Sequence, residues 1–280
     1  MKSFKQLVYP YMGWIAVFIV APMLLIVLYA FTSEGNSVTT INFTLSNFVK
    51  FFNADFIKVL VRSFTLAFFT TILCVLIGYP TAYAISKLKV KNQAIVILLV
   101  TAPQWINMLI RTYAWIGILN DKGLLNQVLT FFNLPPIYIM NTNIAVLIGM
   151  VYNFLPFMIL PIYTILAKMD DSLVEASYDL GANRFETFKK IIFPLSIPGV
   201  ISGITMVFLP SISTFFIPKL LGGGKSLLIG NLIEDKFINS GDWNFGSAIS
   251  LILAIFVLIS MYLTRKIDKD KDGNRLGGVM

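Results

Sequence analysis

The sequence predicts an all-α polytopic membrane protein with six transmembrane helices. Hydrophobic residues make up 57% of the 280 residues and charged residues only 13%, which is far from the balance of a soluble domain. The apolar residues fall into six stretches, each with the roughly 20 residues that a helix needs to cross a bilayer. Of the polar segments between these stretches, the most distinctive runs from Asp170 to Pro194.

The spans are predicted from these apolar stretches in chain order. The first follows Lys2 and Lys5; it is too long for a signal-peptide core and no small-x-small cleavage site follows it, so we expect it to be retained. Pro103 lies inside the third span, and the fifth span is expected to be interrupted at Leu209, Pro210 and Ser211. The six spans cover Tyr11–Thr32, Phe64–Ser86, Ala94–Leu119, Ile144–Leu166, Leu195–Ile217 and Phe245–Leu263.

The segments outside the spans follow the same division. We expect a short surface helix over Leu45 to Phe52, and an amphipathic helix on the membrane surface within residues 123–132. The expected organisation is an N-terminus at 1–10, the first span at 11–32, an outer loop at 33–60, a core of five spans at 61–263 and a tail at 264–280.

The distribution of basic residues predicts the orientation. Six spans place both termini on one side of the membrane, together with the turn at 87–93 and the loop at 168–190. That side carries 14 of the lysine and arginine residues, against 8 on the other. Cytoplasmic loops carry the excess of basic residues, so we expect both termini and the Asp170–Pro194 segment to be cytoplasmic.

The Asp170–Pro194 segment predicts two short helices with a corner between them. Ser172 and Glu175 have the spacing of a capping box, and so do Asn183 and Glu186. Gly181 falls where the first helix should end, in a position that favours a left-handed residue. Pro194 is expected to mark the junction with the next span, because proline removes a backbone donor.

The same segment resembles the EAA loop of ABC importer permeases. Its matches to the E-A-A, G and I-x-L-P spacing are Glu175, Ala176, Gly181, Ile191 and Pro194, while Ser177 and Phe193 depart from it. The resemblance implies a MetI-like type I importer fold with a cytoplasmic coupling helix that docks on an ATPase. The alternative is that these residues form only a helix cap and a turn. The implied coupling residues are Glu175, Ala176, Gly181, Ala182, Phe185, Phe188 and Lys189.

Four further segments resemble the spermidine/putrescine importer permeases. They are TAPQWINMLIRTYAW, NDKGLLN, MVYNFLPFMILPIY and FIPKLLGGGKSLLIGNLIEDKFINSGDWNFGSA. The resemblance implies polyamine transport in the bacterial inner membrane with a second permease subunit as a heterodimer partner, two cytoplasmic ATPase subunits and an extracytoplasmic polyamine-binding protein. ATP and magnesium would be used by the ATPase, with no cofactor bound to this chain.

The composition argues against catalysis by this chain. Histidine is absent and Cys74 is the one cysteine, which removes histidine general bases, most zinc sites and intrachain disulfides. The GGGKS run at Gly222–Ser226 lacks the spacing of a P-loop, because position 219 is lysine. No basic motif for nucleic acid accompanies the net charge of +8, which topology explains better. Membrane lipid is the expected surrounding.

Two patches are candidates for a transport pathway. A proline-broken fifth span would expose carbonyls and hydroxyls, although neighbouring helices often satisfy such a break. Aromatic residues at the outer half of the third span can hold ammonium groups by cation–π attraction, or form only an interfacial belt. The candidate pathway residues are Trp105, Asn107, Tyr113, Tyr152, Asn153, Ser211, Thr214, Phe215 and Phe216.

Acidic residues of the outer loops suggest a vestibule for a cation, although they are equally consistent with solvated charges or contacts to a binding protein. These residues are Asp121, Glu234, Asp235 and Asp242. Arg111 is expected to pair with one of them. Buried acids, which ion-coupled carriers need, are missing from the spans, and this disfavours a secondary carrier. An importer permease for another small solute remains the nearer alternative.

Overall fold

Helices account for nearly all of the chain that the structure describes. The computed structural model describes residues 8–33, 42–224 and 226–276, without the side chains of Val8 and residues 263–276. Within these ranges the strand-like pairing is a single antiparallel bridge between Thr32 and Phe43. The all-α class predicted from the sequence is therefore confirmed.

We number the helices in chain order. Helix α1 comprises Val8–Ile15, a π-helical turn Ala16–Val20 and Ala21–Ala30; α9 comprises Arg184–Thr187, a π-helical turn Phe188–Ile192 and Phe193–Ser213. The others are α2 Ser46–Lys50, α3 Ala54–Ser86, α4 Val90–Thr101, α5 Met108–Leu119, α6 Leu124–Phe131, α7 Asn143–Ala167, α8 Asp171–Asp179, α10 Phe216–Leu221, α11 Ile229–Glu234 and α12 Trp243–Leu276.

Five helices of the described chain are long and apolar enough to cross a membrane: α1, α3, α7, α9 and the first part of α12. The predicted third span is different, because it is bent by 94° between Val90–Trp105 and Met108–Phe131. A 3₁₀ turn, Ala102–Trp105, contains Pro103 at the bend. The span expected over Ala94–Leu119, with Pro103 inside it, is thus not continuous: α4 ends at Thr101, and the 3₁₀ turn that contains Pro103 ends at the extended Ile106.

Two helices are longer than their apolar stretches. Helix α3 begins at Ala54, ten residues before the predicted start at Phe64, so the end of the expected outer loop is helical. Helix α12 continues as backbone helix to Leu276, through most of the expected tail. In both cases the additional residues include charged ones, so the hydropathy of the sequence does not reveal that they are helical.

The predicted break in the fifth span lies later than expected. Helix α9 runs through Pro210 without interruption and ends at Ser213, whereas we predicted an interruption at Leu209–Ser211. The chain becomes extended at Thr214, with φ −63° and ψ 142°, and α10 follows from Phe216. Pro194 marks no junction either, because α9 is continuous on both sides of it. Pro194 lies in the first turn after the π-helical stretch, so it follows a change in helix type and not the end of a helix.

The centre of the bundle is built from α3, α7 and α9, which approach closely at glycines. A Cβ on Gly199 would lie 2.8 Å from the Pro161 carbonyl oxygen. A Cβ on Gly203 would lie 2.6 Å from the Met158 sulfur. Small residues allow helix backbones to approach in this way within a membrane. Met158 is fully buried between the three helices.

Polar contacts define the two ends of the bundle. At one end, the turn after α3 meets the start of α8 through Lys87 and Asp171, at 3.7 Å. At the other, the Asn244 side chain donates to the Thr32 carbonyl at 2.9 Å and so ties α12 to the end of α1. The Asp170–Pro194 segment thus lies at the opposite end from the segments that follow α1 and α9.

Candidate coupling loop and transport pathway

The first helix of the loop, α8, is capped by Asp170. Its carboxylate accepts from the Ser172 backbone N–H at 2.9 Å, and this hydrogen bond lowers the pKa of Asp170. The predicted capping box of Ser172 and Glu175 was therefore wrong. Aspartate and serine are both good N-caps, and the aspartate two residues upstream occupies the cap position.

Gly181 ends α8 in the predicted manner. Its φ is +82°, in the left-handed region. The Ala182 N–H donates to the Ser177 carbonyl at 3.0 Å and the Gly181 N–H to the Tyr178 carbonyl at 2.9 Å. This is a Schellman motif, which satisfies carbonyls that the end of a helix would leave unpaired.

The second predicted capping box is confirmed. The Asn183 side chain accepts from the Glu186 N–H at 3.0 Å, and the Glu186 carboxylate accepts from the Asn183 N–H at 3.2 Å. That hydrogen bond, with a smaller effect from Lys190, lowers the pKa of Glu186. The corner between α8 and α9 is thus fixed at both helix ends.

A buried hydrogen bond closes the corner. The Ser177 and Thr187 hydroxyls lie 2.8 Å apart, and both residues are buried. Ser177 also donates to the Val174 carbonyl at 2.7 Å. In the sequence, Ser177 stands out only as a departure from an alanine, and nothing in the pattern marks Thr187 as its partner.

The predicted coupling residues divide into an outward and an inward set. Glu175, Ala176, Gly181, Phe185 and Lys189 are exposed, and Ala182 is half-buried. Phe185 is 72% exposed, and the unpredicted Leu180 is 89% exposed. An apolar surface of this kind at the tip of a polar loop suits a protein partner.

Phe188 is turned inward instead. Its ring packs edge-on against Tyr79 at 5.9 Å and against Tyr83 at 5.8 Å between centroids. The Tyr79 hydroxyl also lies 2.8 Å from the Ser196 hydroxyl. Phe188 therefore anchors the start of α9 to α3, and the structure gives it a different position from the exposed residues of the loop.

The two loop helices enclose a cleft of about 570 Å³. Small side chains, including Ala176, Ser177 and Ala182, form part of its wall, and Glu186 and Lys190 lie at one side. Lys190 and Glu186 are 3.5 Å apart and form a surface ion pair. The loop thus presents both projecting apolar residues and a concave surface.

The pathway candidates of the bent third span are exposed. Trp105 is 78% and Tyr113 59% exposed, and Asn107 caps α5 by accepting from the Leu109 N–H at 2.8 Å. Tyr152 packs edge-on against Trp115 at 5.3 Å between ring centroids. These residues present an aromatic surface beside the bend.

The candidates around the helix break are mostly buried. Ser211 donates to the Val207 carbonyl at 2.6 Å, and Asn153 donates to the Gly149 carbonyl at 2.8 Å. The Asn153 Oδ1 and Thr214 Oγ1 atoms are buried without hydrogen-bond partners in the described chain. The half-buried rings of Phe215 and Phe216 lie 4.0 Å apart.

The segment that contains LLIGN covers the break. The Asn231 side chain donates to the Phe215 carbonyl at 2.8 Å. A Cβ on Gly230 would overlap the Ser213 carbonyl oxygen and lie 2.8 Å from that of Thr214. The Ile229 N–H donates to the Ser63 hydroxyl at 2.8 Å, which ties the segment to α3. Gly230 thus allows the segment to approach the end of α9 closely, and Asn231 satisfies the Phe215 carbonyl that the break leaves free.

The four outer acids have different surroundings. Glu234 pairs with Lys219 at 2.6 Å, and its side chain is only 15% exposed. Asp235 accepts from Asn239 at 3.1 Å, and Asp242 accepts from the Phe245 N–H at 3.0 Å. Asp121 is exposed. Glu234 and Asp235 share one cleft, whereas Asp242 caps α12.

Arg111 does not pair with any of these acids. Within the described chain it forms no ion pair, and its Nε and Nη1 atoms are buried without hydrogen-bond partners. The expected pairing was wrong for Glu234 in particular, because Lys219 already occupies that carboxylate.

Comparison with known proteins gives consistent matches over most of the chain. Residues 2–272 match the family model described as "Binding-protein-dependent transport system inner membrane component". The spermidine/putrescine transport system permease protein PotB of Haemophilus influenzae is 40% identical over 260 residues, which is 92% of this chain and 91% of that protein. PotB of Escherichia coli K12 is 41% identical over 246 residues, 87% of this chain and 90% of that protein.

A solved structure shares the fold. A bacterial alginate ABC transporter in complex with an alginate pentasaccharide-bound periplasmic protein has a chain that superposes with a TM-score of 0.79. The match covers 95% of this chain and 94% of that one, at 15% sequence identity. At this identity the similarity concerns the fold alone.

Proposed function

Since the chain belongs to the family of binding-protein-dependent transport system inner membrane components, we propose that it is the permease subunit of an ATP-driven importer whose cargo is a polyamine. The observation that supports a polyamine as the cargo is the 40% identity to a spermidine/putrescine permease over 92% of the chain. The subunit would form half of the translocation pathway and would need a second permease of similar fold for the other half.

The remaining subunits follow from the same proposal. Two cytoplasmic ATPase subunits would bind ATP and magnesium, and an extracytoplasmic binding protein would deliver the polyamine. This chain would be non-catalytic. The excess of basic residues supports an orientation with both termini and the α8–α9 corner in the cytoplasm of a bacterium.

The α8–α9 corner is proposed as the coupling element. Leu180 and Phe185 would dock on the ATPase, while Phe188 holds the base of the corner against α3. Because α9 is one helix from Arg184 to Ser213, movement of the corner would reach the helix break at Thr214. A nucleotide can shift the transporter between two states only if the ATPase binds the loop differently in each state.

The proposed pathway needs no buried acid. Ammonium groups can be held by aromatic faces and neutral oxygens, each contact being worth about 0.5–2 kcal/mol for a cation over a ring. The exposed Trp105 and Tyr113, and the oxygens near Thr214, supply such groups. A pathway with weak sites suits a transporter, since cargo must also leave.

The test is ATP-dependent uptake of radiolabelled spermidine into vesicles that contain all subunits. Wild type is compared with Gly181→Asp, Glu175→Lys and the control Asp55→Lys, whose exposed carboxylate lies at the other end of α3. We expect both loop variants to lose uptake with the complex still assembled, and the control to retain it.

Other outcomes separate the parts of the proposal. Wild-type vesicles without polyamine uptake would contradict the cargo and favour another small solute. Unaffected loop variants would contradict the coupling role. Uptake that persists without ATPase subunits would favour a secondary carrier.

A further inference from the structure

The Lys219–Glu234 pair bridges two short helices next to the break in the bundle. Lys219 lies on α10, five residues after the extended Thr214, and Glu234 is the last residue of α11 before a π-helical turn over Asp235–Asn239. The Lys219 Nζ donates to Glu234 Oε1 at 2.6 Å. The pair therefore connects α10 to α11, the two short helices that follow the end of α9.

The two partners differ in exposure. The Glu234 side chain is 15% exposed, whereas the Lys219 side chain is 54% exposed. A carboxylate that is largely removed from water needs a cation, because an uncompensated buried charge is costly. Lysine carries its ammonium on a flexible four-carbon stem and is the more exposed partner here, so it is the partner that another cation could replace.

The carboxylate faces a cleft of about 170 Å³. Val59, Leu227 and Leu232 supply apolar walls, and Asp235 and Asn239 lie beside Glu234. Lys236 also lies 3.9 Å from Asp235, so a second lysine ammonium is close to this cleft. A cleft with a fixed acid and apolar walls suits an ammonium group on an alkyl chain.

We propose that the Glu234 cleft is a binding site for a primary ammonium group of the cargo, and that Lys219 occupies it when cargo is absent. The lysine side chain is itself an alkylammonium, so its 2.6 Å contact shows that the carboxylate accepts this group. The inference rests on the proposed polyamine cargo. Arrival of a cargo ammonium would displace Lys219 and release α10 from α11 beside the helix break.

The test uses three variants of the complete transporter: Glu234→Gln, Lys219→Gln and both together. Binding of radiolabelled spermidine to the purified complex of permeases and ATPases is measured alongside ATP-dependent uptake. Neutralising the exposed Lys58–Asp55 pair, at 3.3 Å, provides the matched control. Size-exclusion chromatography checks assembly.

The two single variants should act in opposite directions. We expect Glu234→Gln to weaken spermidine binding about tenfold or more, the size of one charge-assisted hydrogen bond. Lys219→Gln should strengthen binding, since it removes the competing ammonium. The double variant should bind spermidine as weakly as Glu234→Gln does. It also replaces Glu234→Gln in the test if that variant fails to assemble because Lys219 has lost its partner.

Two results would overturn the site. If both single variants weaken binding, the pair has only a structural role. If neither changes binding while wild type imports spermidine, the pair is an ordinary surface contact. Wild-type transporter that neither binds nor imports spermidine would instead overturn the proposed cargo.

Discussion

The Ser177 and Thr187 hydroxyls meet at 2.8 Å inside the corner between α8 and α9. Both side chains are buried, at 5% and 1% exposure, so the contact is shielded from water on a segment that is otherwise polar. It joins the last turn of one helix to the first turn of the next. The angle between the two helices therefore depends on this contact as well as on the glycine turn.

Removing this hydrogen bond should loosen the corner. We expect Ser177→Ala to cost about 1 kcal/mol and to speed tryptic cleavage at Arg184 or Lys189 roughly fivefold. Thr187→Val should have a smaller effect, because Ser177 keeps its bond to the Val174 carbonyl. Cleavage of the purified complex at neutral pH measures this. A double variant that behaves as the sum of the two singles would show that the hydroxyls do not interact.

Gly230 should tolerate no side chain. A Cβ there meets the backbone carbonyls of Ser213 and Thr214, which cannot move without shifting the end of α9. We expect Gly230→Ala to destabilise the assembled transporter by about 2 kcal/mol, the middle of the range that overpacking typically costs. Its thermal stability should fall accordingly. Gly117→Ala is the control, since nothing lies within 4 Å of its Cβ position. Equal thermal stability of the two variants would contradict this close approach.

The central glycines should differ from one another. A Cβ on Gly199 meets the Pro161 carbonyl at 2.8 Å and the Ile162 Cα at 3.0 Å, both backbone atoms of α7. A Cβ on Gly78 meets the flexible Met158 side chain at 2.9 Å. We therefore expect Gly199→Ala to lower the melting temperature of the complex more than Gly78→Ala. Similar losses in both would mean that α7 can shift away from α9.

The caps of the corner should respond to acid. The pKa of Glu186 is lowered by the Asn183 N–H and by Lys190, so ionised Glu186 stabilises the folded corner. This contribution is fully present above the ordinary glutamate pKa and is lost as pH falls through the lower folded pKa. A spin label is attached at Leu180→Cys, with Cys74 replaced by alanine. The label should gain mobility only at pH values below the ordinary glutamate pKa.

The control for this experiment is Glu186→Gln, which lacks the titrating carboxylate. Its label should respond less to acid, and the remaining response belongs to Asp170, whose pKa is lowered by the Ser172 N–H. Mobility that rises between pH 7 and 6 would contradict the assignment, since neither carboxyl titrates there.

Hydropathy and helix signals predict the regular parts of the fold well. Helix α7, Asn143–Ala167, differs by one residue at each end from the predicted span at Ile144–Leu166, because it is apolar for its whole length. The Asn183–Glu186 box and the left-handed Gly181 are local features, and local sequence is sufficient to identify them.

The errors lie where local sequence offers alternatives. Asp170 and Ser172 are both suitable caps, and only the fold decides between them. Proline shows that a helix is weakened but not where it ends: the bend follows Pro103 closely, whereas α9 passes Pro210 and ends at Ser213. The partners Thr187 for Ser177, and Lys219 for Glu234, come from folding of separate segments and have no fixed spacing.

The continuity of α9 has a mechanical consequence. Thirty residues in one helix from Arg184 to Ser213 make a rod about 45 Å long, with the corner at one end and the extended Thr214 at the other. A rod pivoting on its contacts with α3 and α7 acts as a lever arm, so a small tilt at one tip becomes a proportional displacement at the other. The displacement arrives at Thr214, where the chain becomes extended, and stiffening that joint should stall transport even when the corner is intact.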